Sequence, residues 1–121
     1  MVDFLTNSNT EHYWFVHEDK GTVTGFCYAV PEALTDRTYN LLAIGVRADR
    51  QGRGIGRELM RHAEAALATA GKRLLLVDTS GTADFAPVRR FYAGLGYAQE
   101  AVIRDYWGEG DDKVTFWKRL G

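Results

Sequence analysis

The sequence predicts an α+β fold, a single domain over residues 1–121 on one mixed sheet, with elements in the order β-β-β-α-β-α-β-β. Three observations predict it. Short aromatic and β-branched runs alternate with turn residues, as strands do. After a glycine-rich loop the apolar positions Ile55, Leu59, Ala63, Ala66, Leu67 and Ala70 follow helical spacing. Further on, "RLLLVDT" has four consecutive apolar residues, the pattern of a strand covered on both faces, as in a parallel pairing.

Taken in order, "YWFVHED" (13–19) ends at the turn-like "DKG" and is followed by "TVTGFCYAV" (22–30), so the pair reads as a hairpin. After Pro31 comes a loop containing Thr35 and Asp36. "TYNLLAIGV" (38–46) is the third strand, and Gly45 near its end signals a bulge or a close backbone approach. The helix from Ile55 stops at Gly71. "RLLLVDT" (73–79) follows, then a second helix from about Asp84 to Ala93, with Pro87 in its first turn and Gly94 past its end. "YAQEAVIR" (97–104) and "KVTFWKRL" (113–120) close the domain, joined by the polar "DYWGEGDD".

Composition excludes several classes. With 45% hydrophobic and 26% charged residues and no apolar run approaching the roughly 18 residues of a membrane span, the chain is expected to be neither disordered nor membrane-spanning. "MVDFLTNSNTEHY" lacks the basic and apolar regions of a secretory signal, which favours a cytoplasmic protein. Cys27 is the only cysteine, so an internal disulfide and a Cys-rich zinc site are both unavailable. Within "GFCYAV" it reads as a buried small residue. His12, His17 and His62 lack the HExxH spacing, so no metal is assigned, and His62 reads as half-exposed packing. A net charge of -1 argues against a nucleic-acid footprint over the whole domain.

The corner at "RADRQGRGIGRELM" (47–60) differs. A strand that ends in a glycine-rich loop opening a helix presents free backbone N–H groups and the positive end of the helix dipole, an anion site. Residues 47 to 61 hold Arg47, Arg50, Arg53, Arg57 and Arg61 against Asp49 and Glu58, an excess of three positive charges. No GxxxxGK[ST] is present. A dinucleotide GxGxxG is also missing, since Arg57 and Leu59 stand where glycines would be needed.

What remains, "QGRGIG", is Q-x-x-G-x-G and resembles the pyrophosphate loop of the GNAT acetyltransferase superfamily, which binds acetyl-CoA. "FAPVRRFYAGLGY" (85–97) is similar to that family's helix with its "FY…LGY" ending, and "DYWGEGDDKVTFWKRL" to its final hairpin, so the resemblance covers residues 13 to 120. It implies a mostly antiparallel sheet and an N-acetyltransferase that moves acetyl from acetyl-CoA to a primary amine. By resemblance Gln51, Gly52, Arg53, Gly54, Ile55 and Gly56 wrap the pyrophosphate, with Arg57 in the first helical turn. Ile44 and Val46 match positions whose main chain pairs with the pantetheine arm, and an N–H there could serve the thioester oxyanion. Tyr92 matches the tyrosine that protonates the leaving thiolate.

The base is less defined. An amine is protonated near pH 7 and must lose a proton before it attacks. The family's frequent glutamate on the strand before the glycine loop has no counterpart in "TYNLLAIGV". Asp78 is the first candidate, with Glu32 and Glu100 behind it, and Asp78 equally reads as an N-terminal cap or a strand-end carboxylate in solvent. Phe85 stands where many members carry an asparagine that contacts the cofactor arm, with Thr79 or Ser80 as replacements. The family usually begins with a strand and one or two helices that wall the acceptor pocket. Here these are expected to be reduced or absent, which leads to the expectation of a homodimer. The alternative reading is an acyl-CoA-binding regulatory or interaction module without turnover. A phosphate- or nucleic-acid-binding protein has only the arginine cluster behind it.

Overall fold

The structure, a computed structural model, describes the backbone of residues 2–7 and 11–121 and the side chains from residue 11 onward. A seven-stranded sheet runs in the order β1-β2-β3-β4-β5-β7-β6. Its strands are β1 (Val2–Asn7), β2 (His12–Asp19), β3 (Thr22–Pro31), β4 (Thr38–Val46), β5 (Leu74–Ser80), β6 (Ala98–Gly108) and β7 (Asp111–Arg119). Only β4 and β5 pair in parallel. This is the strand whose continuous apolar run predicted such a pairing. The helices are α1 (Ile55–Thr69) and α2 (Ala86–Gly94), each preceded by a single 3-10 turn, Ala48–Arg50 and Ala83–Phe85. Among the described residues no helix is long and apolar enough to cross a membrane.

One face of the sheet meets both helices. Phe15, Cys27, Tyr39, Leu41, Leu75, Val77 and Phe116 from alternate strand positions join Leu59, Met60 and Leu67 of α1 and Tyr92 of α2 in one core. Cys27 is fully buried, and burial pushes its thiol up to about 12, the behaviour of a packed residue rather than a nucleophile. The opposite face carries Trp14, Phe26 and Tyr28, with Trp14 stacked on Tyr28 at 4.0 Å between centroids.

Three features depart from the sequence expectation. The sheet begins one strand earlier, because β1 pairs with β2 from Val2↔His17 to Asn7↔His12, so the N-terminal strand is present. The polar joint "DYWGEGDD" is mostly strand, closed by a turn at Glu109 and Gly110. There Asp105 takes a positive φ of 56°, its carboxylate accepts from Gly110 N–H at 2.9 Å, and its own N–H donates to Asp112 Oδ1 at 3.0 Å. Side chains thus replace the ladder bonds that the irregular stretch lacks. The bulge lies at Leu42 instead of Gly45: Tyr28 pairs with Ala43 and Ala29 with Leu41, leaving Leu42 unopposed. Gly45 serves the close approach, since a Cβ there would stand 2.7 Å from Phe26 Cε1.

Candidate active site

β4 and β5 keep register only from Thr38↔Leu74 to Leu41↔Val77. Beyond that point β4 continues with β3 alone, and β5 with β7 alone. The Leu42 bulge sits at the parting and bends β4 away. The result is a gap with an unpaired backbone edge. Arg47 N–H donates to Thr24 O at 2.8 Å on the β3 side. Because the peptide is planar and trans, the Val46 carbonyl must point the opposite way, into the gap. There it accepts from Gln51 Nε2 at 3.3 Å. By strand alternation the N–H of Val46 and both polar groups of Ile44 face the gap as well.

The gap opens onto the start of α1. Gly52 and Gly54 hold φ of 79° and 78°, which residues with a Cβ rarely adopt. Gly54 is the N-cap and has no side chain to cap with, so the N–H groups of Ile55, Gly56 and Arg57 are left without helical partners. The first helical bond is Glu58 N–H to Gly54 O at 3.0 Å. Gly56 lies where the two helices meet, and a Cβ there would make ordinary van der Waals contact with Phe91 Cζ of α2 at 3.4 Å.

The arginines divide into two groups. Arg47 pairs with Asp49 at 3.1 Å and Arg50 with Asp19 at 2.9 Å. Among the described residues no carboxylate stands in ion-pair range of the exposed Arg53, Arg57 or Arg61, so this corner keeps positive charge. Below it, His17 Nδ1 and Thr24 Oγ1 are 2.5 Å apart, and His17 Nε2 faces Glu58 Oε2 at 3.1 Å. Thr24 gives its hydroxyl proton to His17 O at 3.1 Å, so Nδ1 must be the donor in the first contact. This network ties the β2–β3 hairpin to the first turn of α1.

Three adjoining clefts run along the gap. One of about 520 Å3 is bordered by Ile44, Val46, Gln51, Gly56, Phe91 and Tyr92. A second, about 400 Å3, continues to Gly54, Ile55, Arg50 and Arg57. A third, about 320 Å3, lies where the strands part, among Leu41, Ile44, Asp78, Thr79, Phe85 and Tyr92. Tyr92 borders both the first and the third. It is 2% exposed, with its ring against Phe91, Tyr97 and Phe116. Burial, with the Cys27 thiol nearby, pushes its phenol up to about 12. Among the described residues no hydrogen bond engages its hydroxyl.

Asp78 is held by neighbours. Thr115 Oγ1 donates to Oδ1 at 2.6 Å and Asn40 Nδ2 to Oδ2 at 3.0 Å, while Lys113 Nζ stands 3.8 Å from Oδ2. Glu32 joins it through the same Asn40 amide. Glu100 lies on the exposed β6, outside all three clefts. Thr79 borders the third cleft, whereas the Ser80 hydroxyl is taken up by Asp111 Oδ1 at 2.6 Å and Thr82. Arg53 borders none of the three, and His62 is exposed rather than half-exposed. Phe91 and Val88, which border the clefts, and Asn40 were not singled out by sequence reasoning. For Phe91 the signal was available in the "RRFY" run, and for Asn40 there was none.

Parted strands beside an uncapped, glycine-bounded helix N-terminus suit an extended ligand with an anionic end. A profile of the acetyltransferase (GNAT) domain matches residues 9–99, and the chain belongs to that family of acetyltransferases, which use acetyl-CoA. A GNAT-family protein from Desulfovibrio desulfuricans is similar at a TM-score of 0.88 and 32% identity, over 91% of this chain and 69% of that one. An aminoglycoside 6'-N-acetyltransferase complexed with coenzyme A is similar at 0.80 and 20% identity, over 93% and 75%. An IAA acetyltransferase from Bacillus cereus is similar at 0.82 and 18% identity, over 99% of each chain. The last two share the fold. No curated protein matches this sequence.

Proposed function

We propose that this protein transfers acetyl from acetyl-CoA to a primary amine by direct attack. The observation that carries the reading is the parting of β4 and β5 beside the bare start of α1, with Tyr92 bordering the clefts on both sides. Pyrophosphate would lie on the N–H groups of the Gln51–Gly56 loop, with Arg57 adding charge. The pantetheine amides would pair with Ile44 and Val46 as an added strand, and Thr79 would line the thioester end. An Ile44 or Val46 N–H directed at the carbonyl would stabilise the oxyanion, a contribution of about 3 kcal/mol for one donor.

In this scheme Asp78 takes a proton from the acceptor ammonium. The freed lone pair forms the C–N bond, the C–S bond breaks, and the Tyr92 phenol gives its proton to the departing thiolate. A phenol whose pKa is raised to about 12 is protonated at neutral pH, the form a general acid needs. Thiol release from acetyl-CoA against a panel of primary amines tests the reading. Turnover should appear with at least one amine and fall in Asp78→Asn. Coenzyme A binding with no turnover on any amine would refute it.

One observation favours a second reading, acyl-CoA binding without turnover. Both oxygens of Asp78 already accept hydrogen bonds, so the base is partly occupied. The cytoplasm suits a protein that draws on acetyl-CoA. A homodimer is supported by β6, an edge strand exposed along its length that carries Val102, Ile103, Tyr106 and Trp107. Sedimentation as a monomer at micromolar concentration would remove it.

A further inference from the structure

Two large apolar side chains stand partly in solvent where the strands part, and the transfer scheme gives neither a role. Leu42 is 58% exposed and Phe85 44%. Both border the third cleft, Leu42 from β4 and Phe85 from the end of the 3-10 turn ahead of α2, so they flank it from the two sides of the gap. Among the described residues no other large apolar side chain this exposed borders any of the three clefts. Single exposed apolar residues are ordinary on a protein surface. Two that converge on the cleft holding Asp78 and Tyr92 form its rim. Leu42 is also the bulge residue, and a bulge re-aims a side chain and leaves it without a cross-strand neighbour to cover it.

The rest of the lining has the same character. Asp78, Thr79 and Tyr92 are its only polar side chains among the described residues, and all three are used in the transfer scheme. Asp78 is the only charged one, and no second carboxylate borders the cleft. Nothing in the lining is left over to receive a second charged group on the acceptor. Leu42 and Phe85 border neither of the clefts proposed for the pantetheine arm and the pyrophosphate, so they are free for what approaches the thioester.

We propose that Leu42 and Phe85 are specificity-determining residues that receive an uncharged apolar substituent beside the acceptor's amine, and that the acceptor is an amine of that class rather than a polyamine. The proposal rests on the reading of the gap as an acetyltransferase site. With its ammonium at Asp78, the acceptor has to leave the nitrogen along apolar walls. Carbon atoms set between Leu42 and Phe85 take their own apolar surface and that of the two side chains out of water. A second ammonium at the same place would lose its water with no carboxylate to replace it, because Asp78 already holds the first. The rim thus attracts one class of amine and repels the other.

The test needs no turnover. Isotope-labelled protein saturated with coenzyme A is titrated with ethylamine, propylamine, butylamine and 1,3-diaminopropane, and amide chemical shifts are followed by NMR. The diamine is butylamine with its terminal methyl replaced by a second ammonium. Affinity should rise by about two- to fourfold with each added methylene, the upper value being that of complete transfer out of water. The diamine should bind at least about tenfold more weakly than butylamine. Leu42→Ser should weaken butylamine by about threefold or more and ethylamine by less, with coenzyme A affinity unchanged, and Phe85→Ser should lower the gain per methylene in the same way. Both side chains are already partly in solvent, so the substitutions keep the fold. Absence of amine binding, no gain with chain length, equal binding of the diamine, or indifference of butylamine to both substitutions would each overturn the proposal. Binding that grows with chain length and depends on Leu42, in a protein that acetylates no amine, would leave the apolar rim standing and sink acetyl transfer. Turnover that ignores chain length and Leu42 would do the reverse.

Discussion

Replacing Gly54 by alanine isolates what the glycine loop contributes. Gly54 caps α1 at φ 78° and ψ 11°, and a Cβ built there meets nothing within 4 Å. The substitution therefore adds no clash, and its whole cost is holding an L-residue in the left-handed region, about 1–2 kcal/mol. That cost must appear in one of two places. If the free loop keeps its shape, the urea midpoint falls by the equivalent of about 1–2 kcal/mol with an unchanged m-value, and coenzyme A affinity holds. If the free loop relaxes, stability is kept and affinity drops by the same free energy, about five- to thirtyfold. Denaturation and calorimetry on one preparation should thus give losses that sum to about 1–2 kcal/mol. Gly54→Asn should lose less than Gly54→Ala, because asparagine tolerates this conformation and can cap the helix, although it is the larger residue. Alanine with no loss in either assay, or asparagine losing more than alanine, would refute the backbone argument and point to bulk.

The remaining predictions follow from the same sites. Gly56→Ala lies inside α1 at ordinary van der Waals contact with Phe91, so it should leave stability unchanged or raise it by up to about 1 kcal/mol, while coenzyme A affinity falls as the methyl crowds the pyrophosphate. Tyr92→Phe removes a hydroxyl with no hydrogen bond among the described residues, so the urea midpoint should move by less than about 0.5 kcal/mol while kcat drops by about 100-fold or more. An unchanged kcat would remove Tyr92 as the acid. Stability should decline in alkali, because the buried Cys27 and Tyr92 keep their protons up to about 12 whereas their unfolded counterparts release them from about pH 9 and 10. Stability is thus full below pH 9 and lost progressively toward pH 12, at up to about 1.4 kcal/mol per pH unit for each group. Denaturation midpoints across that range check it, and Cys27→Ala should delay the onset by about one pH unit.

How much could be read from the chain alone depended on how local each demand was. The Gly52 and Gly54 conformations are set by single φ angles, and a single φ angle leaves a glycine in the sequence. α1 announces its buried face through the spacing of Leu59, Ala63 and Leu67, and β5 its two covered faces through "LLLV". The bulge was misplaced for a related reason. Gly45 is bare because Phe26 lies across it, a close approach that leaves the same mark in sequence as a bulge. Leu42, which is the bulge, carries no mark, because it only needs to stand unopposed between two registers. β1 was missed because its apolar residues Val2, Phe4 and Leu5 do not alternate strictly and backbone pairing with β2 defines it. The site divides along the same line. Its corner at the bare start of α1 is built from neighbours in sequence, and its backbone conformation was legible. Its acidic wall is built from Asn40 and Asp78, 38 residues apart, and Asp78 and Thr115, 37 apart, brought together by strand order. None of these residues is unusual where it stands in the chain. Asp78 drew notice by its strand-end position, but the amide that joins it to Glu32 follows from register. The glycine-bounded half of the site is therefore written in local backbone demands, and the acidic half in tertiary contacts.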